Sequence, residues 1–403
     1  MSSLPQIVSV DDHVIEPPDT WQARLSRRHR DIGPRVVRNT CSWTSVGLDT
    51  TVYTPGGDGP VTDFWVYEDL WRPIQQSTAT AGVVDITELT DGPISYAEMR
   101  PGCYQAKDRL SDMDRNHTEA SLCFPSFPRF CGQTFLEAKD KELALLCVQA
   151  YNDWMIDEWC GDSGGRLLPL CIIPLWDPQL AAAEVRRNAA RGCRAIAFTE
   201  LPVNLGLPSI HSPDRYWDPL FQACDETVTV ICMHIGSGSK MPTTSPDAPL
   251  GVRVALTSAN AQLSMTDWLM SGVMARFPHL KIAYSEGQVG WMPFLLQRMD
   301  QVFLRSRKWT HLDPSLVEPP SSYVAGRVYG CVFDDDFGIS AHQTIGIGQI
   351  TFEVDYPHQD TTWPNTRAVL ERMSKLLTPE QLERVVRTNA LEMLGLLPAS
   401  TSS

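Results

Sequence analysis

Residues 165–201 read GRLLPLCIIPLWDPQLAAAEVRRNAARGCRAIAFTEL. An apolar run stops at a Pro/Asp turn, an amphipathic helix follows and is closed by Gly192, and a second apolar run, CRAIAFTEL (193–201), starts at once. Strand, helix, strand at this spacing is a parallel βαβ unit, because parallel neighbours need a long crossover whereas antiparallel ones need only a tight turn. The rhythm continues downstream. Ser212-Pro213-Asp214 reads as the capped start of a helix through about Asp225. VTVICMHIG (228–236) is apolar almost throughout, as a strand buried on both faces must be. A long helical stretch runs to Ala275, LKIAYSEG (280–287) is the next strand, and GWMPFLLQRMDQVFLRS (290–306) is helical. VYGCVFDD (328–335) and ITFEVDYPH (350–358) are the last strands, and two helices close the chain, the second opening on the capping box Thr378-Pro379-Glu380-Gln381.

With Ile7–Asp12 and Ala120–Pro125 upstream, these segments make eight strands, the number that right-handed crossovers close into a (β/α)8 barrel. The competing open, doubly wound sheet usually carries a Gly-rich phosphate loop after its first strand; here that place holds DDHVIEPP, and no GxGxxG or GxxxxGK[ST] occurs. The expected architecture is therefore a single α/β domain over 1–403, a distorted (β/α)8 TIM barrel. Residues 20–115 break the rhythm and read as a long insertion after strand one that covers the barrel mouth, with a hairpin around TVYTPGGDGPVTDFWV (51–66); 306–327 reads as a minor insertion.

Composition narrows the function. The 403 residues carry a net charge of −14, which disfavours nucleic acid, and the short basic cluster Arg24–Arg30 reads as a solvated helix face. The 12 Trp suit a large core or a deep pocket. The 11 Cys are an odd number without a CxxC, as expected for buried, reduced thiols in a cytosolic protein. No apolar run reaches the ~18 residues of a membrane span. Nothing ahead of Ile7 resembles a leader, so a cytoplasmic protein is expected.

Chemistry in such a barrel sits at the C-terminal ends of the strands. Asp11 and His13 lie at i and i+2 of the first strand and share a face, so both can point into the mouth and chelate one ion. His234 ends strand five, Glu286 strand six, and Asp355 strand eight. Alone, each has a structural explanation as a cap, a core histidine or a turn residue. Together, Asp11, His13, His234 and Asp355 form a mixed nitrogen and oxygen set. It suits one zinc, manganese or iron rather than calcium or magnesium, and zinc is the first expectation.

The segments IVSVDDHVIEPPDTW, PGCYQAKDRLSDMDRN, ICMHIGSGS, AYSEGQVGWMPFLLQRMD and VDYPHQDTTWP, in this order, resemble the amidohydrolase-related family that includes aminocarboxymuconate semialdehyde decarboxylase. The resemblance implies a distorted barrel with one divalent metal, Asp11 and His13 as the first ligand pair, His234 as the next, and Asp355 as ligand, proton donor or both. Many relatives have a catalytic His where this chain has Glu286. Strand four ends in Glu200 and offers no Lys, which speaks for a mononuclear site.

His358 is a candidate acid–base group or a partner of the ligands. Arg100 and Arg129 are candidate partners of a substrate carboxylate, against a default of surface salt bridges. Trp291 is a candidate pocket wall, and Glu16 is read as structural. Three functions follow. The first is non-oxidative decarboxylation of a small unsaturated or aromatic carboxylic acid, with Asp355 and His358 or Glu286 delivering the proton. The second is metal-dependent hydrolysis of an amide, lactone or similar bond, with Asp355 as base. The third is a non-catalytic binding protein on a degenerate barrel. The family resemblance also raises a homodimer, with the long insertion as its candidate interface.

Overall fold

The computed structural model describes residues 4–46, 50–83, 89–90 and 92–397. In chain order the strands are β1 (Ile7–Val14), β2 (Arg35–Val46), β3 (Thr50–Pro55), β4 (Val61–Tyr67), β5 (Leu70–Gln75), β6 (Pro93–Ile94), β7 (Thr118–Pro125), β8 (Leu167–Leu168), β9 (Leu170–Cys171), β10 (Ala195–Phe198), β11 (Val230–His234), β12 (Ile282–Ser285), β13 (Val328–Val332) and β14 (Ile350–Phe352).

One sheet runs β8-β7-β1-β14-β13-β12-β11-β10-β9, and every pairing in it is parallel. Its ends, β8 and β9, are halves of one segment interrupted by Pro169, which has no N–H to give a ladder. The first half pairs with β7 and the second with β10, so the sheet closes on itself as an eight-stranded (β/α)8 barrel. Strands such as β11 and β13 are buried along their whole length, which accounts for their uninterrupted apolar sequence.

Local chemistry sets the crossovers. Asp177 caps helix Pro178–Ala189, accepting from the N–H groups of Gln179 and Leu180. Thr378 and Gln381 form the expected capping box. The Ser212 start is not observed. Ser212 and Asp214 hydrogen-bond each other in a local turn, and the helix begins at Asp218, with Pro at its first turn.

Strands β2 to β6 form a second, antiparallel sheet, β3-β2-β4-β5-β6, placed in sequence between β1 and β7. The expected hairpin over 51–66 is corrected here: β3 and β4 do not pair with each other. Both pair with the long β2, Thr50–Pro55 against Cys41–Val46 and Val61–Val66 against Arg35–Thr40. GGDGP (56–60) is thus an excursion between two stretches bound to one partner, not the turn of a hairpin. Trp65 of this sheet stacks on Phe127, just beyond β7, at 4.9 Å and meets the fully buried Trp21 edge-on at 5.0 Å. All eleven cysteines are buried and free. Among the described residues, no helix is long and apolar enough to cross a membrane.

Candidate metal centre

β1 lies between β7 and β14, and its backbone continues the β14 ladder past the end of that strand. Asp355 N–H donates to Asp11 O at 2.9 Å and His13 N–H to Tyr356 O at 2.6 Å. Those two bonds fix the DxH arm against the Asp355 corner. Asp355 itself turns through a left-handed backbone (φ 55°), and its carboxyl meets the rings of His13 and His358. Asp12, between the two candidate ligands, points the other way; it accepts from Ser9 Oγ and Tyr356 N–H, each at 3.0 Å, and from Ser121 Oγ.

The result is a tight, buried cluster. His13 Nε2 lies 3.6 Å from Asp11 Oδ1, 3.3 Å from Asp355 Oδ1 and 3.2 Å from His234 Nε2. His234 Nε2 is 3.4 Å from Asp11 Oδ2 and 3.8 Å from Glu286 Oε2. His358 Nδ1 is 3.3 Å from Asp355 Oδ1, and its ring stacks on that of His13 at 3.5 Å. Asp11 and His13 are fully buried, and His234 and Asp355 are within 1 % of it. His234 Nδ1 donates to Ile235 O at 2.6 Å, which leaves Nε2 as the nitrogen with a free lone pair facing the cluster.

Electrostatics give the test of whether a cation fits. Burial first, then Glu353, Glu286 and Asp355, push the Asp11 carboxyl well above its ordinary range. Burial and then Asp355 and Glu353 do the same to Glu286. Burial lifts Glu353 to about 8. At Asp355 burial is outweighed by His358 and His13, and the carboxyl is held below its ordinary value. Burial depresses His13 strongly and takes His234 down to about 4, so both imidazoles are neutral, as ligands must be. Both oxygens of Asp11 and of Asp355 lack a hydrogen bond although fully enclosed. Buried carboxylates without donors are costly unless a cation meets them. Donor atoms of Asp11, His13 and His234, and separately of His13, Asp355 and His358, lie within 4.8 Å of one another. The residues therefore fit one divalent cation.

The structure brings together Asp11, His13, His234, Asp355, His358 and Glu286. Arg100 instead makes a bidentate pair with Asp112, both contacts 2.6 Å, and lies 4.8 Å over Trp363. Arg129 pairs with Glu137 at 2.6 Å and with Ser239. Trp291 donates from its indole to Gly287 O at 2.7 Å. Glu16 holds the Ser126 and Phe127 N–H groups at 2.9 Å each, a structural clamp between the ends of β1 and β7.

Sequence reasoning missed two groups. Glu353 is fully buried; its Oε2 accepts from Glu286 N–H at 3.0 Å and from Cys331 Sγ. Its position two before Asp355, hence on one face of an extended chain, was the available signal. Arg72, on β5, donates to Phe127 O at 3.1 Å and Thr134 Oγ1 at 3.2 Å. It lines a cavity with Ile15, Trp65, Ile74, Ser126 and Phe127. Burial and then Arg129 lower it to about 10. Nothing in its local sequence marks it.

Barrel and centre together define a class: a (β/α)8 protein whose strand ends converge on one metal-capable, carboxylate-rich cluster. The chain belongs to the amidohydrolase family, whose model matches residues 58–396. It is 26% identical over 243 residues, 57% of this chain and 70% of the relative, to the decarboxylase orsB of Emericella nidulans. Among solved structures it is similar to the amidohydrolase map2389c of Mycobacterium avium subsp. paratuberculosis, with TM-score 0.71, 21% identity, and 98% of this chain and 100% of that one covered. It is also similar to the Rhizobium 2,6-dihydroxybenzoate decarboxylase, with TM-score 0.60, 15% identity and 98% and 99% covered. A third is the 5-carboxyvanillate decarboxylase of Novosphingobium aromaticivorans, solved with manganese, with TM-score 0.58, 19% identity and 73% and 81% covered. At these identities the structures establish the shared fold.

Proposed function

We propose that the protein is a metal-dependent, non-oxidative decarboxylase of a small unsaturated or aromatic carboxylic acid. The observation that carries this reading is the enclosed Asp11–His13–His234–Asp355 set, two buried carboxyls whose near polar neighbours are imidazole nitrogens. The decarboxylase relatives support it. A divalent cation, zinc or manganese foremost, held by those four residues would attract the substrate carboxylate and a neighbouring oxygen and offset negative charge developing on the substrate.

The chain's own groups supply the rest. Burial and the neighbouring Asp355 push the Glu286 carboxyl up while His358 and His13 hold Asp355 down, and we read the two as an acid–base couple of neighbouring carboxyls. His358, 3.3 Å from Asp355, completes a route by which that couple is reprotonated. In the reaction the C–CO2 bond breaks, its electron pair stays on the carbon, and that carbon takes the proton as CO2 leaves. Water is kept away by the apolar rings around the imidazoles, Phe130 stacking on His234 at 4.1 Å and Phe124 lying 5.1 Å from it.

The described part of the insertion that precedes helix Ala106–Arg115 is read as a cover of the mouth. Thr80 donates from N–H and Oγ1 to Pro357 O, and from Oγ1 to His358 O at 2.6 Å, strapping it to the catalytic loop. With Arg100 engaged by Asp112, Arg72 takes over as the cation for a remote polar or anionic group of the substrate, with Arg129 nearby. Trp291 remains a candidate wall.

The test is a panel of hydroxylated aromatic and unsaturated acids given to manganese- or zinc-loaded protein in D2O, alongside esters, amides and lactones. Headspace mass spectrometry reads CO2, and NMR reads deuterium at the vacated carbon. Release of CO2 with one deuterium incorporated is expected. Ester, amide or lactone turnover with no CO2 from any acid would replace this reading with the hydrolytic one.

A further inference from the structure

The segment PGCYQAKDRLSDMDRN (101–116) carries Arg109, which no catalytic role uses and which is 0 % exposed. It lies on helix Ala106–Arg115, behind β1 and β7. Its guanidinium donates through Nη2 to the carbonyl oxygen of His13, through Nε to Gly102 O at 2.8 Å and through Nη1 to Cys123 Sγ at 3.2 Å. It lies over the Tyr356 ring at 4.2 Å, with the Trp159 ring on another side at 5.2 Å. Tyr356 follows the candidate ligand Asp355; its hydroxyl donates to Asp112, on the same helix as Arg109, at 2.7 Å. Arg109 forms no ion pair with a carboxylate among the described residues; Asp12 is its acidic neighbour.

A buried cation without a bonded carboxylate is expensive to keep. This one is spent on two main-chain oxygens, a thiol and two ring faces, a set only a planar, five-donor fork can meet at once. Two of those contacts fall on the chain carrying candidate metal ligands: the carbonyl of His13 itself and the ring next to Asp355. We propose that Arg109 is a positioning residue for the metal centre. It fixes the His13 main chain and the Asp355–Tyr356 corner at the separation in which Asp11, His13 and Asp355 converge on one ion, without touching ion or substrate. The inference rests on the metal-site reading and not on decarboxylation.

Lysine keeps the charge of Arg109 but cannot reach the His13 and Gly102 carbonyls while facing Tyr356. Arg109→Lys and the parent are stripped of metal and titrated with Mn(II) alone. Co(II) is then loaded and its visible d–d spectrum recorded, because that spectrum reports ligand geometry and not fold stability. The parent is expected to bind one Mn(II). Arg109→Lys is expected to bind it about 10- to 100-fold more weakly, the usual cost of losing a group that orients a ligand, with a shifted Co(II) spectrum. Should Arg109→Lys not fold, Tyr356→Leu removes the ring against which the guanidinium lies and leaves the cation in place. The same weaker Mn(II) binding and spectral shift are expected from it. Parent-like Mn(II) affinity and Co(II) spectrum in whichever variant folds, with loss of thermal stability only, overturns the proposal. A parent that binds no Mn(II) instead overturns the metal-site reading beneath it.

Discussion

Glu200 lies two residues past β10 with its carboxyl buried and both oxygens without a hydrogen bond, and burial raises it from the ordinary 4.5 to about 8. In the unfolded chain it releases its proton near 4.5; in the native protein it holds it until about 8. Between these values the native state binds more protons, so Glu200 makes the protein lose stability as pH rises from 4.5 to 8. At about 1.4 kcal/mol per unit, the full cost of the charged group is about 5 kcal/mol. Entry of water lowers it, so Glu200→Gln should stabilise the metal-free protein by about 2–4 kcal/mol at pH 8. At pH 5, where the native glutamate is already neutral, the two proteins should agree within about 1 kcal/mol. Urea denaturation of both at pH 5, 6, 7 and 8 is the assay, and taking the difference cancels every other titrating group. Parallel stability curves, or a variant weaker at pH 8, would refute the reasoning.

His234→Ala should reduce Mn(II) affinity by more than about 100-fold, read by equilibrium dialysis with circular dichroism as the check on folding. Asp355→Asn keeps an oxygen toward the ion but can neither hold charge nor pass a proton. It should bind metal while kcat falls by about 10²–10⁴, measured as CO2 release on a substrate found in the panel. Arg72→Met should raise KM about 10- to 100-fold, the worth of one charge-assisted hydrogen bond, and leave kcat nearly unchanged; a kcat loss with KM constant would move Arg72 out of the binding role.

The barrel was legible because its strands are buried on both faces and therefore carry unbroken apolar runs, while caps such as Asp177, between strands, and Thr378, after the last one, mark helices. The candidate ligands were legible because a barrel concentrates chemistry at strand ends, and Asp11, His13, His234 and Asp355 all stand there. Groups acting from outside that pattern were not. Arg109 reaches the His13 carbonyl from a helix face, and Arg72 lines its cavity from a sheet whose path depends on contacts far apart in sequence, such as Trp65 on Phe127. Ser212 misled because a Ser-Pro-Asp turn and a helix cap use the same side-chain bonds. GGDGP misled because glycine and proline permit an excursion as readily as a hairpin turn.

One metal ion among Asp11, His13, His234 and Asp355 is the proposal on which the others depend. A crystal structure of the manganese-loaded protein, with data collected for the anomalous signal of manganese, tests it directly. One anomalous peak is expected, bonded to Nε2 of His13 and of His234 and to carboxylate oxygens of Asp11 and Asp355. No peak in the barrel, or a peak held by other residues with His234 Nε2 turned away, would contradict it.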